Sequence, residues 1–238
     1  MVSLEKIAHL AEECRFDSLG PMMGQTNGVG SEKLEALGAG TRHDVCASTF
    51  SLRSPGLPGI CHAFTHDGRC VSLFKTLYTN HCTHQCSYCT NAIGCTHRNR
   101  TFSYTPEELV GITLALYRSN YIEGLFLSSG SGGDEDSTME HMVEAARLLR
   151  QKYGFQGYIH LKVLPGASRS RIQEAVELAD RVSINLEAAS TSRMDEICPT
   201  KNYESDILKR QRYISDLVTK ANLPAGQTTQ LVVGAAGE

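Results

Sequence analysis

From Val71 onward, short β-branched and apolar runs alternate with stretches of helical periodicity, and this alternation constrains the fold more than any other feature of the chain. VSLFKTLYT (71–79) reads as a strand that runs directly into a cysteine-rich loop. TPEELVGITLALYRSN follows, with Thr105 as N-cap, Pro106 at the first helical position and Glu108 placed to close a capping box. GLFLSS (124–129) is the second strand. The next helix is expected to open at Ser137, with Glu140 in its first turn, to bury Met139, Met142, Val143, Ala146 and Leu149, and to stop at Gly154. The cycle repeats with YIHLKVL (158–164), a helix bearing Ile172, Ala175, Val176 and Ala179, and VSINLE (182–187). A short segment around Met194 and a helix bearing Ile207, Leu208, Ile214, Leu217, Val218 and Ala221, closed by Pro224, lead to a fifth strand, TTQLVV (228–233).

Repetition of this kind predicts an α/β fold, a parallel sheet of about five strands with right-handed crossovers, open or closed into a barrel. The polar and glycine-rich elements all follow strands: the cysteine loop, SSGSGG, LPG, Glu187 and GAAGE. Sites in barrel-type α/β proteins lie at that end, so the carboxyl rim is the expected site. Residues 1–70 read as an N-terminal extension, with Ser3 capping a short helix that carries Leu4, Ile7, Ala8 and Ala11 on one face. Its stretch from Gly20 to Gly40, rich in glycine and small polar residues, reads as loop, and residues 71–238 form the core.

Twenty-three basic against 26 acidic side chains exclude an overall basic field that would draw the chain onto nucleic acid or anionic membrane. Charges at Glu5, Lys6, Glu12 and Glu13 occupy the place where a signal peptide needs an apolar run, and no stretch reaches transmembrane length, so the expected location is cytoplasmic. In that compartment nine cysteines point to metal rather than to a disulfide framework. Cys14 and Cys198, remote from the others, read as small buried hydrophobes.

The cysteines concentrate in TNHCTHQCSYCTN (79–91), where Cys82, Cys86 and Cys89 are flanked by His81 and His84. A spacing of C-x3-C-x2-C is too compact for two zinc knuckle pairs, and a structural zinc site would need a fourth ligand from His81, His84 or Cys95. Three thiolates on a short loop suit a [4Fe–4S] cube with one iron left open to an exogenous ligand.

At this point the chain resembles the radical S-adenosylmethionine (radical SAM) superfamily, whose motif is C-x3-C-x-aromatic-C after the first barrel strand, with Tyr88 in the aromatic position. GICHAFTHDGRCVSLFKTLYTNHC, YIEGLFLSSG, GYIHLKVLPGAS, RVSINLEA and QLVVGAAGE resemble a family of DNA modification or repair radical SAM proteins linked to a uracil-DNA-glycosylase-like partner. The resemblance implies a partial (β/α) barrel and reductive cleavage of S-adenosylmethionine to a 5′-deoxyadenosyl radical. Cys82, Cys86 and Cys89 would hold the cluster, and the methionyl amine and carboxylate would chelate its fourth iron. Ser128, Ser129 and Gly130 stand where the superfamily uses a Gly-Gly-Glu-like segment for that amine. Lys162 would pair the carboxylate, Asn185 and Glu187, alternating onto one strand face, would meet the ribose, and Gly234 to Gly237 would approach adenine. Implied partners are a reductase, flavodoxin or ferredoxin as electron donor, the glycosylase-like protein, and nucleic acid. Two readings from other classes remain: an iron–sulfur electron-transfer or sensing protein without turnover, and a zinc-stabilised interaction protein.

Other residues carry ordinary readings beside their functional ones. Cys61, His62, His66 and Cys70 have the composition of a second metal site but read as turn residues around Asp67-Gly68, and Cys95 and His97 read as loop. Arg98 and Arg100 are the densest basic pair near the rim, whereas Lys209, Arg210 and Arg212 read as the wet face of a helix. Met22, Met23 and Met194 signal nothing specific. Against the resemblance the chain stops early: superfamily cores continue through a fifth helix and a sixth strand, and the family adds a C-terminal helix-hairpin-helix segment. A chain ending at Glu238 therefore reads as C-terminally truncated or completed by another chain, with its fifth strand an open parallel edge that impairs solubility or stability.

Overall fold

The computed structural model describes residues 2–14, 59–64, 70–95, 100–221 and 223–235. The expectations for the Gly20–Gly40 loop, Met22, Met23, His66, Asp67-Gly68, His97, Arg98 and Gly237 fall outside the described residues, as do those for the side chains of His62 and Cys70.

The chain opens with α1 (Leu4–Glu13), capped as expected by Ser3, whose hydroxyl accepts the Lys6 amide. Two antiparallel strands follow, β1 (Ile60–Phe64) and β2 (Cys70–Leu77), in the register Ile60 opposite Phe74 through Phe64 opposite Cys70. Four further strands, β3 (Gly124–Ser128), β4 (Tyr158–Lys162), β5 (Arg181–Ser183) and β6 (Gln227–Thr228), add to β2 in chain order, each parallel to the one before. The five expected parallel strands are thus present, joined by an antiparallel β1 contributed from what reads in sequence as the extension.

The crossovers are α2 (Pro106–Arg118), α3 (Glu135–Arg147) and α4 (Arg169–Leu178), and α6 (Lys209–Ala221) follows the short α5 (Thr191–Ile197) on the way to β6. In the helical layer α2 packs on α3, α3 on α4, and α4 on α6. Because helices cover the sheet, β3 is buried along its whole length, and the core interleaves Leu125, Leu127, Ile159 and Leu161 with Leu109, Met142, Val143 and Ile172. The capping box of α2 closes with both of its bonds, Glu108 N to Thr105 Oγ1 and Thr105 N to Glu108 Oε2.

Three boundaries differ from expectation for local reasons. α3 starts earlier than Ser137, because the Asp134 carboxylate accepts the Ser137 amide and so caps the helix itself. The helix then continues as a π-helical turn (Leu148–Lys152) and stops at Gly154, whose φ of +60° is left-handed. β5 is three residues long rather than spanning 182–187, since the chain leaves extended geometry before Glu187, which has φ +64°. β6 shrinks to two residues because it pairs only with that short β5, and a single bridge from Leu231 to Glu187 continues the contact. The open parallel edge expected at the fifth strand is therefore, among the described residues, a strand of two residues.

Two arginines tie loops to this frame. Arg150 donates to the carbonyls of Phe155, Gly157 and Leu178 and to Asp180, which also accepts the Ile159 amide at the start of β4. Arg210, expected on a wet face, instead donates to the carbonyls of Gly166 and Ala167 and fastens the loop after β4 to α6.

Candidate cofactor site at the carboxyl ends of the strands

β2 ends at Leu77, and the cysteine loop then runs beside the segment after β3. The Tyr78 amide donates to the Ser128 carbonyl at 2.8 Å, Gly130 to Thr79 at 2.7 Å and Gly132 to His81 at 3.0 Å. Glycine at 130 is required by this approach, because a Cβ there would stand 2.2 Å from the His81 carbonyl oxygen. Ser131 Oγ accepts the Thr83 amide at 2.9 Å and lies 3.5 Å from Cys82 Sγ. Asn80 braces the other side, accepting from Phe102 N at 2.7 Å and donating to the Arg100 carbonyl at 2.9 Å.

The far half of the loop rests on the segment after α5. Ser87 N donates to the Ile197 carbonyl at 2.8 Å, and Gln85 N to Thr200 Oγ1 at 3.0 Å. His84 Nδ1 is 3.1 Å from the same hydroxyl, while its Nε2 stands 3.0 Å from Glu135 Oε1, off the hydrogen-bonding line. The contact with His84 holds the Glu135 carboxyl below its ordinary range. Through Nδ1 on Thr200 and the Nε2 contact with Glu135, His84 braces the loop against the segment after α5 and against α3.

Cys82, Cys86, Tyr88 and Cys89 line a cavity of about 250 Å³ together with Ser128, Ser129, Gly130, Lys162, Asn185 and Glu187. Ten of the eleven positions proposed from sequence therefore converge, and only Gly234 is not in the lining, where Gln230 and Val232 from the same stretch stand. Glu187 reaches the cavity by a left-handed turn, φ +64°, rather than by strand alternation with Asn185. A non-glycine residue held there marks a position whose surroundings enforce the conformation. Asn185 Nδ2 lies 3.4 Å from its carboxylate, and Lys201 Nζ 3.1 Å. Burial by itself would push the Glu187 carboxyl up, but the ammonium groups of Lys201 and Lys162 and hydrogen bonds from Tyr88 and Lys201 hold it below its ordinary range.

Sequence reasoning missed Ser131, Thr200 and Lys201. Ser131 sits in the SSGSGG run already marked as a loop, so its position was a usable signal, whereas Thr200 and Lys201 arrive from a segment more than a hundred residues from the cysteine motif. Arg100 does not face the site, since its guanidinium pairs with Glu5 of α1 at 2.7 Å in an exposed contact. Cys95 is partly buried in a turn, its amide donating to the Ala92 carbonyl at 3.2 Å.

Cys198 is the main correction. It is fully buried, as expected of a small hydrophobe, but its sulfur is in disulfide contact with Cys86, the central residue of the motif. Among the described residues no three His, Cys, Asp or Glu side chains stand together at metal-binding distance. Cys82 and Cys89 are not in disulfides, and all three motif cysteines border the cavity. The donor set, three cysteines on one short loop bordering one cavity, fits a three-thiolate cluster once Cys86 parts from Cys198.

A parallel α/β sheet that brings three closely spaced cysteines and a buried polar cluster to the carboxyl ends of its strands defines a cofactor-binding protein of partial-barrel type. Residues 76–227 match the family model described as Radical SAM superfamily, and the chain belongs to that superfamily. Its members use a [4Fe–4S] cluster and S-adenosylmethionine. Among solved structures the fold is similar to "Crystal structure of HydG: A maturase of the [FeFe]-hydrogenase", with a TM-score of 0.52 and 11% identity over 66% of this chain and 34% of that one. The chain thus spans about a third of that structure's length, and the likeness is one of fold. Among curated proteins none matches this chain. No described helix is long and apolar enough to cross a membrane.

Proposed function

We propose that the chain is a radical SAM enzyme that holds a [4Fe–4S] cluster through Cys82, Cys86 and Cys89. The observation that carries this reading is the lining of one cavity by these three cysteines together with Ser128, Lys162 and Glu187, all at or beyond the carboxyl ends of strands. The chemistry such a group supplies when bound is one-electron reductive cleavage of S-adenosylmethionine, a source of hydrogen-atom abstraction.

The chain's own residues bind and orient. The carbonyls and hydroxyls of Ser128 and Ser129 accept from the methionyl amine, with Gly130 keeping that segment close to the cysteine loop. Lys162 pairs the methionyl carboxylate, and Asn185 with the ionised Glu187 accepts from the ribose hydroxyls. The bonds of Thr79 with Ser129 and Gly130 and of Thr83 with Ser131 hold the loop against the segment after β3 and so fix where the thiols stand.

Residues 71–238 act as the cofactor-binding core and residues 1–70 as an extension that lends β1 to its sheet. The substrate in this reading is a nucleic-acid base or sugar, the electron donor is a flavodoxin- or ferredoxin-type protein, and the setting is the cytoplasm. Support for the nucleic-acid part is the sequence resemblance alone, because Arg100, the described member of the basic pair, is taken up by Glu5.

Anaerobic reconstitution tests the proposal. The expected result is about four iron and four sulfide per chain, with 5′-deoxyadenosine released on reduction with S-adenosylmethionine present. A cluster that never cleaves the cosubstrate would favour an electron-transfer or sensing module, and stoichiometric zinc without sulfide an interaction protein. Salt-dependent binding to DNA tests the substrate class, and binding indifferent to salt or absent overturns it.

A further inference from the structure

Cys198 has no part in the cofactor reading, yet it is held against one of its three ligands by hydrogen bonds on both sides. The turn Cys198-Pro199-Thr200-Lys201 is closed by the Lys201 amide on the Cys198 carbonyl at 2.9 Å, with proline at the position that favours such a turn. Ser87 N bonds to the Ile197 carbonyl on one flank, and Gln85 N to the Thr200 hydroxyl on the other. These two bonds bracket Cys86 and Cys198, whose Cα atoms are 4.3 Å apart. The two thiols therefore stay in reach of each other whatever their oxidation state. They differ in access: Cys86 borders the cavity, while Cys198 is buried behind it and is not in the cavity lining.

We propose that Cys86 and Cys198 form a reversible dithiol–disulfide pair that decides whether the central cysteine of the motif is available to metal. The oxidant is a low-molecular-weight disulfide. The Cys86 thiolate attacks one of its sulfurs from the cavity, forming a mixed disulfide and releasing one small thiol. The Cys198 thiolate then attacks Cys86 Sγ and expels the second small thiol. Two electrons pass from the pair to the small disulfide, and the two cysteine protons leave on the two thiols released. A dithiol reductant reverses both steps. In the oxidised chain the motif offers Cys82 and Cys89 only, so cluster assembly waits on reduction. This consequence rests on the cofactor reading, whereas the pairing itself does not.

The test uses the metal-free full chain equilibrated with glutathione disulfide, quenched in acid, alkylated and digested without reduction. The expected product is one cross-linked peptide joining Cys86 to Cys198, with two fewer alkylatable thiols that return with dithiothreitol. Cys198→Ser should lose the cross-link and keep Cys86 alkylatable in excess oxidant, while Cys82→Ser keeps the cross-link. Iron and sulfide uptake by the oxidised wild type should fall roughly 10-fold or more below the reduced chain, since losing even an outer partner of a metal site costs that much. Cys198→Ser should load equally from either start. Should Cys198→Ser fail to give the native circular dichroism spectrum, Cys198→Ala provides the same comparison. Cys86 and Cys198 remaining alkylatable in excess oxidant, or cross-linking to other cysteines instead, overturns the pairing, and oxidised wild type loading as fast as reduced overturns the gate. Failure of even the reduced chain to take up iron and sulfide would sink the cofactor reading instead, and the cross-link would then decide the pairing alone.

Discussion

Replacing Lys201 by Met tests whether the buried charge cluster holds the site together. Lys201 and Glu187 are 9% and 7% exposed at their side chains and 3.1 Å apart, so neither charge is solvated by water to a useful degree. Removing one partner of such a pair costs about 3–5 kcal/mol, because the other is left charged in a poor solvent. Lys162 and Tyr88 remain beside Glu187, which places the expectation at the lower end, about 3 kcal/mol or roughly 6–12 °C in melting temperature for a chain of this size. Urea unfolding of wild type, Lys201→Met, Glu187→Gln and the double variant is the assay, with unchanged slopes required before midpoints are compared. The double variant should cost about 2 kcal/mol less than the sum of the singles, since most of either single cost is the orphaned partner. The pH dependence has a definite sign. Without Lys201 the carboxyl of Glu187 moves up in the folded state, so its ionised form is what costs stability, and the deficit shrinks as pH falls and the group takes a proton. A deficit under about 0.5 kcal/mol, the range of ordinary surface changes, or strict additivity would refute the reasoning.

Thr105→Ala removes the hydroxyl that accepts the Glu108 amide and should cost about 1 kcal/mol in urea unfolding, with Thr105→Ser restoring most of it. Gly130→Ala puts a methyl group against the His81 carbonyl oxygen, a backbone atom that cannot swing away, and should cost about 1–3 kcal/mol together with impaired iron uptake; an unchanged urea midpoint would count against the close approach. Glu108 is held below its ordinary value first by the hydrogen bond from Lys6 and then by the Thr105 amide, after allowing for burial. Its contribution is therefore full above the unfolded carboxyl value of 4.5 and fades as pH falls below it, and Lys6→Met should flatten that acid-side loss in a pH series of melting temperatures.

What could be read from sequence followed how locally each feature is determined. The capping box at Thr105, the helix stop at Gly154 and the buried run of β3 are set by a few adjacent residues, and they stand where periodicity and turn chemistry put them. The short β5 and β6 were overextended because VSINLE and TTQLVV have strand composition, while their real length depends on a left-handed turn at Glu187 that composition does not reveal. β1 went unread because its pairing with β2 is a tertiary choice for a short stretch lying among turn residues.

The candidate site divides along the same line. Cys82, Cys86, Cys89 and Tyr88 form one local motif, and Ser128 to Gly130 and Lys162 sit at strand ends, so sheet order alone brings them together. The Cys198-Pro199-Thr200-Lys201 turn reaches the same place by packing, and it supplies three contacts of different kinds: a thiol on Cys86, a hydroxyl on His84 and Gln85, and an ammonium group on Glu187. One turn thereby couples the cysteine loop to the strand-end carboxylate. A shift of that turn changes ligand availability and charge pairing together, so variants in it should disturb thiol reactivity and acid sensitivity in parallel, whereas variants at Ser131 should disturb the loop alone.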